Sequence, residues 1–330
     1  MKIKIAAIEK YLPGAKITSA TLDAIAGIPI GRIEKNTGVS TRHHASADES
    51  VCEMGAIALN KALQKSKLKP SDLDLLIYTG GSFDYPIPHN AGIIKSKITD
   101  DSCNFSCMDI DSTCLSFLNG LDVAHLYLQS KRYHRIAIVC AEMASRAITP
   151  KEEKTFGLFG DGAVAMIIEN TDGPGYLPTY VDFVNYPSGA LLAKLPIGGA
   201  MNRGRNETAD ASGYFFQMDG KTLIRLTTKH LDGFVKAMET KTNTKIGDYE
   251  TIVAHQTSRW GNEYFQSHFN LKPDTVVNTL SHFGNCISAS IPLGLEQVYQ
   301  LNNGALKNKN VLIMGTAAGL SMGCMILKFD

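Results

Sequence analysis

Asp72-Leu-Asp-Leu-Leu-Ile-Tyr-Thr79 is echoed by Asp248-Tyr-Glu-Thr-Ile-Val-Ala-His255, 176 positions further along the chain. The echo continues downstream. Ser116-Phe-Leu-Asn-Gly-Leu121 matches Ser290-Ile-Pro-Leu-Gly-Leu295 at an offset of 174, and Arg135-Ile-Ala-Ile-Val139 matches Asn310-Val-Leu-Ile-Met314 at 175. Three apolar segments can coincide by chance in any α/β protein; a generic doubly wound sheet is the alternative explanation. Three in order at an almost constant offset point instead to two similar halves, 1–172 and 173–330, whose matching element ends meet at one site.

The repeated segments belong to a longer alternation. Residues 73–80, 135–142, 163–169, 250–255 and 310–316 are near-continuous apolar runs, the signature of strands covered on both faces. Helical periodicity separates them at 50–65, 115–130, 219–240 and 290–303. In the first, Val51, Met54, Ala58 and Ala62 form a stripe with Gly55, Leu59 and Leu63 beside it. Alternation of this kind predicts a layered α/β architecture.

Charge and composition narrow the function classes. The 33 basic residues against 32 acidic ones leave a formal charge of +1, so no global field argues for nucleic acid or a membrane surface. No stretch approaches the roughly 18–20 apolar residues of a membrane span. Seven cysteines without a secretion signal suit a reducing, cytoplasmic setting. Cys103 and Cys107 are four apart, but no second pair or suitably placed His follows, so no metal is expected.

Three positions carry chemistry. Cys114 falls where the apolar segment 105–110 and the polar Asp111-Ser112-Thr113 hand over to a helix. A helix N-terminus favours thiolate over thiol, which makes Cys114 an acyl acceptor; the bland reading is a buried structural cysteine. His255 ends its apolar run, and strand C-terminal ends are where open α/β sheets gather ligands, although a lone His is more often a satisfied structural residue. Asn285 lies in His282-Phe-Gly-Asn-Cys-Ile-Ser-Ala-Ser-Ile-Pro-Leu-Gly294, where the repeat makes Ser288 the counterpart of Cys114; Gly-Asn is also ordinary turn chemistry. Two glycine-rich segments remain. Phe159-Gly-Asp-Gly-Ala163 reads as a tight turn with positive φ. Gly315-Thr-Ala-Ala-Gly-Leu-Ser-Met-Gly323 lies between two strands and suits a backbone N–H aimed at an acyl carbonyl. Neither has the context of a dinucleotide site or a P-loop.

In this order and spacing the motifs resemble the 3-oxoacyl-[acyl-carrier-protein] synthase III family of condensing enzymes. The marks are Asn36-Thr-Gly-Val-Ser-Thr-Arg-His43, the Cys before an apolar helix, Phe159-Gly-Asp-Gly-Ala163, His255-Gln256, Gly284-Asn285 and Gly319-Leu-Ser-Met-Gly323. The resemblance implies a thiolase fold, with two halves stacked as a five-layer α-β-α-β-α sandwich, and a homodimer. It implies a Cys114–His255–Asn285 triad that loads an acyl group on Cys114 and condenses it, with decarboxylation, with a malonyl or 3-oxoacyl thioester. It also implies an oxyanion hole from the N–H groups of Cys114 and Gly319, and no cofactor beyond substrates carried on the phosphopantetheine of coenzyme A or acyl carrier protein. Ile87 and Phe159 are the implied substrate-binding positions, the segment at Ile87-Pro88 crossing to the partner's acyl pocket. Arg259, just after the His255 strand, is a candidate contact for a phosphopantetheine phosphate or an acidic carrier surface, its bland reading an exposed, solvated Arg. Members that prime fatty-acid synthesis place a Trp near position 32 and an Arg near 36. Here Arg32 and Asn36 stand instead, which favours a carrier-protein donor and a specialised pathway such as polyketide synthesis. Glu142 resembles a position where head-to-head condensing relatives keep a carboxylate. Two other activities stay open: acyl transfer to an alcohol or amine, and a non-catalytic acyl-binding subunit.

Overall fold

A computed structural model describes residues 1–201, 211–304, 306–307 and 309–330. The first half runs β1 (Lys2–Tyr11), β2 (Ala15–Thr18), α1 (Ser19–Ala26), α2 (Arg32–Thr37), β3 (Thr41–His44), α3 (Val51–Ser66), β4 (Leu75–Thr79), α4 (Asn90–Ile98), β5 (Ser106–Ile110), α5 (Ser116–Gln129), β6 (Arg135–Met143), α6 (Glu153–Phe156) and β7 (Asp161–Thr171). The remainder runs β8 (Tyr176–Asn185), β9 (Ala193–Lys194), β10 (Gln217–Met218), α7 (Gly220–Thr242), β11 (Thr251–Ala254), α8 (Arg259–His268), α9 (Leu280–Phe283), α10 (Ser290–Leu301), β12 (Asn310–Ala317) and β13 (Ser321–Phe329).

Among the described residues, nine strands join in the order β11-β12-β13-β8-β1-β7-β6-β4-β5, but β1 and β8 meet through the single pair Ile3–Tyr176. Either side of that joint the pairing repeats. Strand β4 lies parallel to β6, and β6, β7 and β1 follow antiparallel. Strand β11 lies parallel to β12, and β12, β13 and β8 follow antiparallel. Where β5 flanks β4, an isolated parallel bridge from Ile252 to Val276 flanks β11.

Side-chain alternation shows why the strands read as unbroken apolar runs. Leu75, Ile77, Ile136 and Ile138 face a central core, while Leu76, Tyr78, Ala137 and Val139 face α3 and α4. Val253, Val311 and Ile313 turn to the same central core, while Ile252, Leu312 and Met314 face α7. Helices α5 and α10 fill the space between, contributing Leu118, Leu121, Ile291 and Leu295. The layers are therefore α3/α4, first sheet, α5/α10, second sheet and α7/α8, a thiolase-type sandwich. A central residue such as Ile138 or Ile313 is fully enclosed, so truncation to Ala costs about 2–5 kcal/mol.

The helix patterns hold in detail. Helix α3 starts at Ser50, whose side chain accepts from the N–H of Glu53, and it buries the stripe from Val51 to Ala62 read from the sequence. The 159–163 segment differs from expectation. Neither Gly160 nor Gly162 has positive φ. A side chain at Gly160 would instead run into the carbonyl of Phe283, so the glycine is there for close approach.

Candidate active site

Two matching turns build the site. Thr113 and Ile287 both sit in the left-handed region, at φ +52° and +48°, a strained conformation for β-branched residues. The same hydrogen bonds hold each. Asp111 Oδ1 accepts from the Thr113 N–H at 2.8 Å, and Asn285 Oδ1 accepts from the Ile287 N–H at 2.9 Å. Ser116 Oγ accepts from Ser112 N at 2.8 Å, and Ser290 Oγ accepts from Cys286 N at 3.0 Å. Cys114 and Ser288 thereby occupy equivalent points in short 3-10 turns at the heads of α5 and α10. Ser288 is fully buried, accepting from Phe117 N at 3.0 Å, whereas Cys114 is half-buried.

Cys114 lies beneath the tip of the β12–β13 hairpin. Thr113 Oγ1 donates to the Ala318 carbonyl at 3.4 Å. Burial pushes the thiol up to about 12 and the charges of Glu142 and Asp111 add to this, while backbone hydrogen bonding at Ala318 and Cys114 acts the other way. Burial thus works against the thiolate that the helix N-terminus favours. The leading N–H groups of the helix have partners already: Leu115 donates to Ser112, Ser116 to Thr113, and Phe117 to Ser288. They are not left to stabilise sulfur.

His255 follows β11 directly, and its N–H extends the ladder to Met314 O at 2.9 Å. It is 5 % exposed, and its Nδ1 has no hydrogen-bond partner among the described residues. Burial depresses its pKa to about 4, so the imidazole is neutral near pH 7. Gly315 separates His255 from the Cys114 turn: a Cβ there would lie 2.9 Å from the His255 Cβ and 3.2 Å from Leu115 Cδ2. Asn285 joins from the other side, donating through Nδ2 to Thr257 O at 3.3 Å. Its backbone is clamped between Leu158 O and the Gly160 N–H, at 2.9 and 3.2 Å. Gln256 fixes the intervening loop by donating to Ala254 and Val277 and accepting from Asn262, Thr279 and Leu280.

The other sequence-derived positions spread around this centre. Gly319 adopts φ +82° at the hairpin tip beside Ala318. Phe159 forms an isolated bridge with Asn285 and packs edge-on against Phe216. Arg259 pairs with Glu263 on α8 and packs over Gly38. Arg32 and Asn36 both hold Glu153 Oε1, at 2.8 and 3.0 Å, and Trp260 stacks on Tyr264. Ile87 is 84 % exposed in a loop with exposed Phe83 and Tyr85. The sequence reading missed Asp111 and Ser116, although the 174-residue offset already aligned them with Asn285 and Ser290.

Comparison with known proteins then decides the family. The model described as 3-Oxoacyl-[acyl-carrier-protein (ACP)] synthase III matches residues 108–182, and its C-terminal counterpart matches 240–329. The chain belongs to the 3-oxoacyl-[acyl-carrier-protein] synthase III family. It is a condensing enzyme of the synthase III type, an acyl-transferring class. A beta-ketoacyl-[acyl-carrier-protein] synthase III of Chlamydia trachomatis serovar D is 26% identical over 332 residues, covering 99% of each chain. One from Sulfurovum sp. is 28% identical over 326 residues, covering 98% of this chain and 94% of the relative. The crystal structure of 3-oxoacyl-[acyl-carrier-protein] synthase III from Aquifex aeolicus VF5 superposes with a TM-score of 0.85 at 22% identity, covering 99% of both chains. Both synthase III matches fall on the two turns described above: the first contains Cys114, the second His255 and Asn285. No helix among the described residues is long and apolar enough to cross a membrane.

Proposed function

We propose that Cys114 is the acyl-carrying nucleophile of a decarboxylative Claisen condensation, with His255 and Asn285 as hydrogen-bond donors to the extender thioester. The reading rests above all on one observation: a buried, neutral His255 with an unpartnered nitrogen lies across Gly315 from the Cys114 turn.

In the first half-reaction Cys114 sulfur attacks the donor's thioester carbon, the carrier thiol leaves, and the cysteine proton ends on that thiol. Since the resting sulfur is a thiol, deprotonation accompanies attack, with His255 as proton relay. The backbone N–H groups of Cys114 and Gly319 hold the carbonyl oxygen. In the second, a malonyl thioester loses carbon dioxide to form an enolate. The second Nδ2 hydrogen of Asn285 and a His255 N–H stabilise its oxygen, each donor contributing about 3 kcal/mol at the transition state. The enolate carbon attacks the acyl-cysteine, the carbon–sulfur bond breaks, and Cys114 leaves as a thiolate that takes a proton from solvent to restore the resting thiol.

Carrier protein or coenzyme A brings the substrates. The Glu153 contacts of Arg32 and Asn36 support the carrier-protein donor, with Arg259 and Phe159 as substrate contacts. The exposed Phe83, Tyr85 and Ile87 support a homodimer in which this loop is covered by the partner. The two halves 1–172 and 173–330 each supply one turn of the site. Incubation with acyl-carrier-protein and acyl-CoA donors should add one acyl mass to a peptide containing Cys114, and Cys114→Ala should abolish it. Labelled malonyl thioester should then release carbon dioxide. Acyl loading without that release would identify an acyltransferase, and no adduct from any donor would remove the reading altogether.

A further inference from the structure

Glu142, at the end of β6, is fully buried yet makes no ion pair among the described residues. Its carboxylate is held entirely by the loop following β4. Oε1 accepts from the Gly81 N–H at 2.9 Å, and Oε2 accepts from the Ser82 N–H at 3.0 Å and the Ser82 hydroxyl at 2.6 Å. Ser82 Oγ in turn accepts from Met143 N at 3.1 Å, and Tyr78 donates to Ala141 O and Ser82 O. This loop backs the nucleophile's turn: a Cβ on Gly81 would lie 3.8 Å from Asp111 Oδ1 and 4.0 Å from Thr113 Cα. The repeat makes it the counterpart of the loop after His255, and the counterpart of Glu142 in the second half is Ala317. The carboxylate is thus an addition to one half only.

We propose that Glu142 is a positioning residue for the nucleophile: its carboxylate pins residues 80–82 against the Thr113–Cys114 turn that carries the sulfur. The inference rests on the assignment of Cys114 as nucleophile. The groups facing Cys114 are Asp111 from the preceding loop, Glu142 from β6 and His255 across Gly315. Those around Glu142 are Asp111, Tyr78, Cys114, Cys140 and Cys286. Burial raises the Glu142 carboxyl to about 7 against the pull of its Ser82 and Gly81 hydrogen bonds. Above that pH the Glu142 charge joins that of Asp111 in acting against ionisation of Cys114, so the thiolate is disfavoured.

The test is the pH dependence of iodoacetamide alkylation of the full-length protein, read as mass at the Cys114 peptide. Glu142→Gln should lower the midpoint by about one pH unit or more, the scale of a close like-charge interaction, while Glu142→Asp, which keeps the charge, should not. A natively folded Glu142→Gln protein with an unchanged midpoint overturns the proposal. A second measurement needs no variant: in wild-type protein carrying ¹³C-labelled glutamate, one carboxyl should titrate near pH 7 and the Cys114 alkylation rate should rise less steeply through that range. A carboxyl that titrates there while the alkylation rate shows no inflection overturns it equally. No acyl donor enters either experiment, so failure of acyl loading and failure of this inference are distinguishable.

Discussion

The turns at Asp111–Ser116 and Asn285–Ser290 have the same strained residue, the same side-chain cap and the same serine acceptor, yet their chemistry has separated. The first presents a sulfur at its tip and keeps a carboxylate, Asp111, as its cap. The second buries its tip serine and makes its cap an amide, whose nitrogen is left to act. Strain at Thr113 and Ile287 is retained in both, because the turn geometry and not the residue at its tip requires it. One backbone solution therefore carries a cysteine at its tip in one half and an amide as its cap in the other.

The sharpest way to break this comparison is Asn285→Asp. Asp111 demonstrates that a carboxylate caps such a turn, so the variant should fold normally. It loses the Nδ2 donor, with its bond to Thr257 O, and brings in a negative charge, so malonyl decarboxylation should fall roughly 10²–10³-fold, measured as carbon dioxide release. A fall below threefold would mean that the amide is a cap and nothing more. Gly315→Ala tests the junction between the turns. Its methyl would press on the His255 Cβ and Leu115, costing about 1–3 kcal/mol in thermal or denaturant unfolding together with activity. Unchanged stability and turnover would show that the junction is loose.

Titration distinguishes the halves next. His255 has its pKa lowered to about 4 from 6.5, so between those values the unfolded chain binds a proton that the folded one refuses. Stability is then lost as pH falls through this window, at up to about 1.4 kcal/mol per pH unit. Buried His125 behaves alike. Glu142 has the opposite sign, its contribution fading as pH rises from 4.5 to about 7. His255→Asn should flatten the acid limb of a plot of Tm against pH; an unaltered slope would place the imidazole in water. The smallest effect is expected from Asp111→Asn, which copies the cap of the other half. Stability should change by less than about 0.5 kcal/mol in a urea melt.

Much of this architecture was legible in the chain itself, since strands buried on both faces leave unbroken apolar runs and α3, α5, α7 and α10 carry clear periodicity. The repeat also aligned the two turns before any coordinate was known. What the residues did not disclose was enclosure. The ionisation of Cys114 depends first on burial, and Ser288, reaching Phe117 from the other half, also occupies one of the helix N–H groups. The reason for Gly160 was equally hidden, because Phe283 lies more than a hundred positions away. Glu142 was visible as a residue, but its three donors come from a loop that carries no periodic signal.

The joint between the sheets has one more consequence. With only Ile3 and Tyr176 paired across it, the spacing of the halves is not ruled by a ladder of fixed pitch; it is set by the volume of the side chains stacked along α5 and α10. A methylene gained or lost in that middle layer moves one turn relative to its twin while leaving every reactive atom intact. Substrate size can thereby drift over evolutionary time through residues that never touch a substrate.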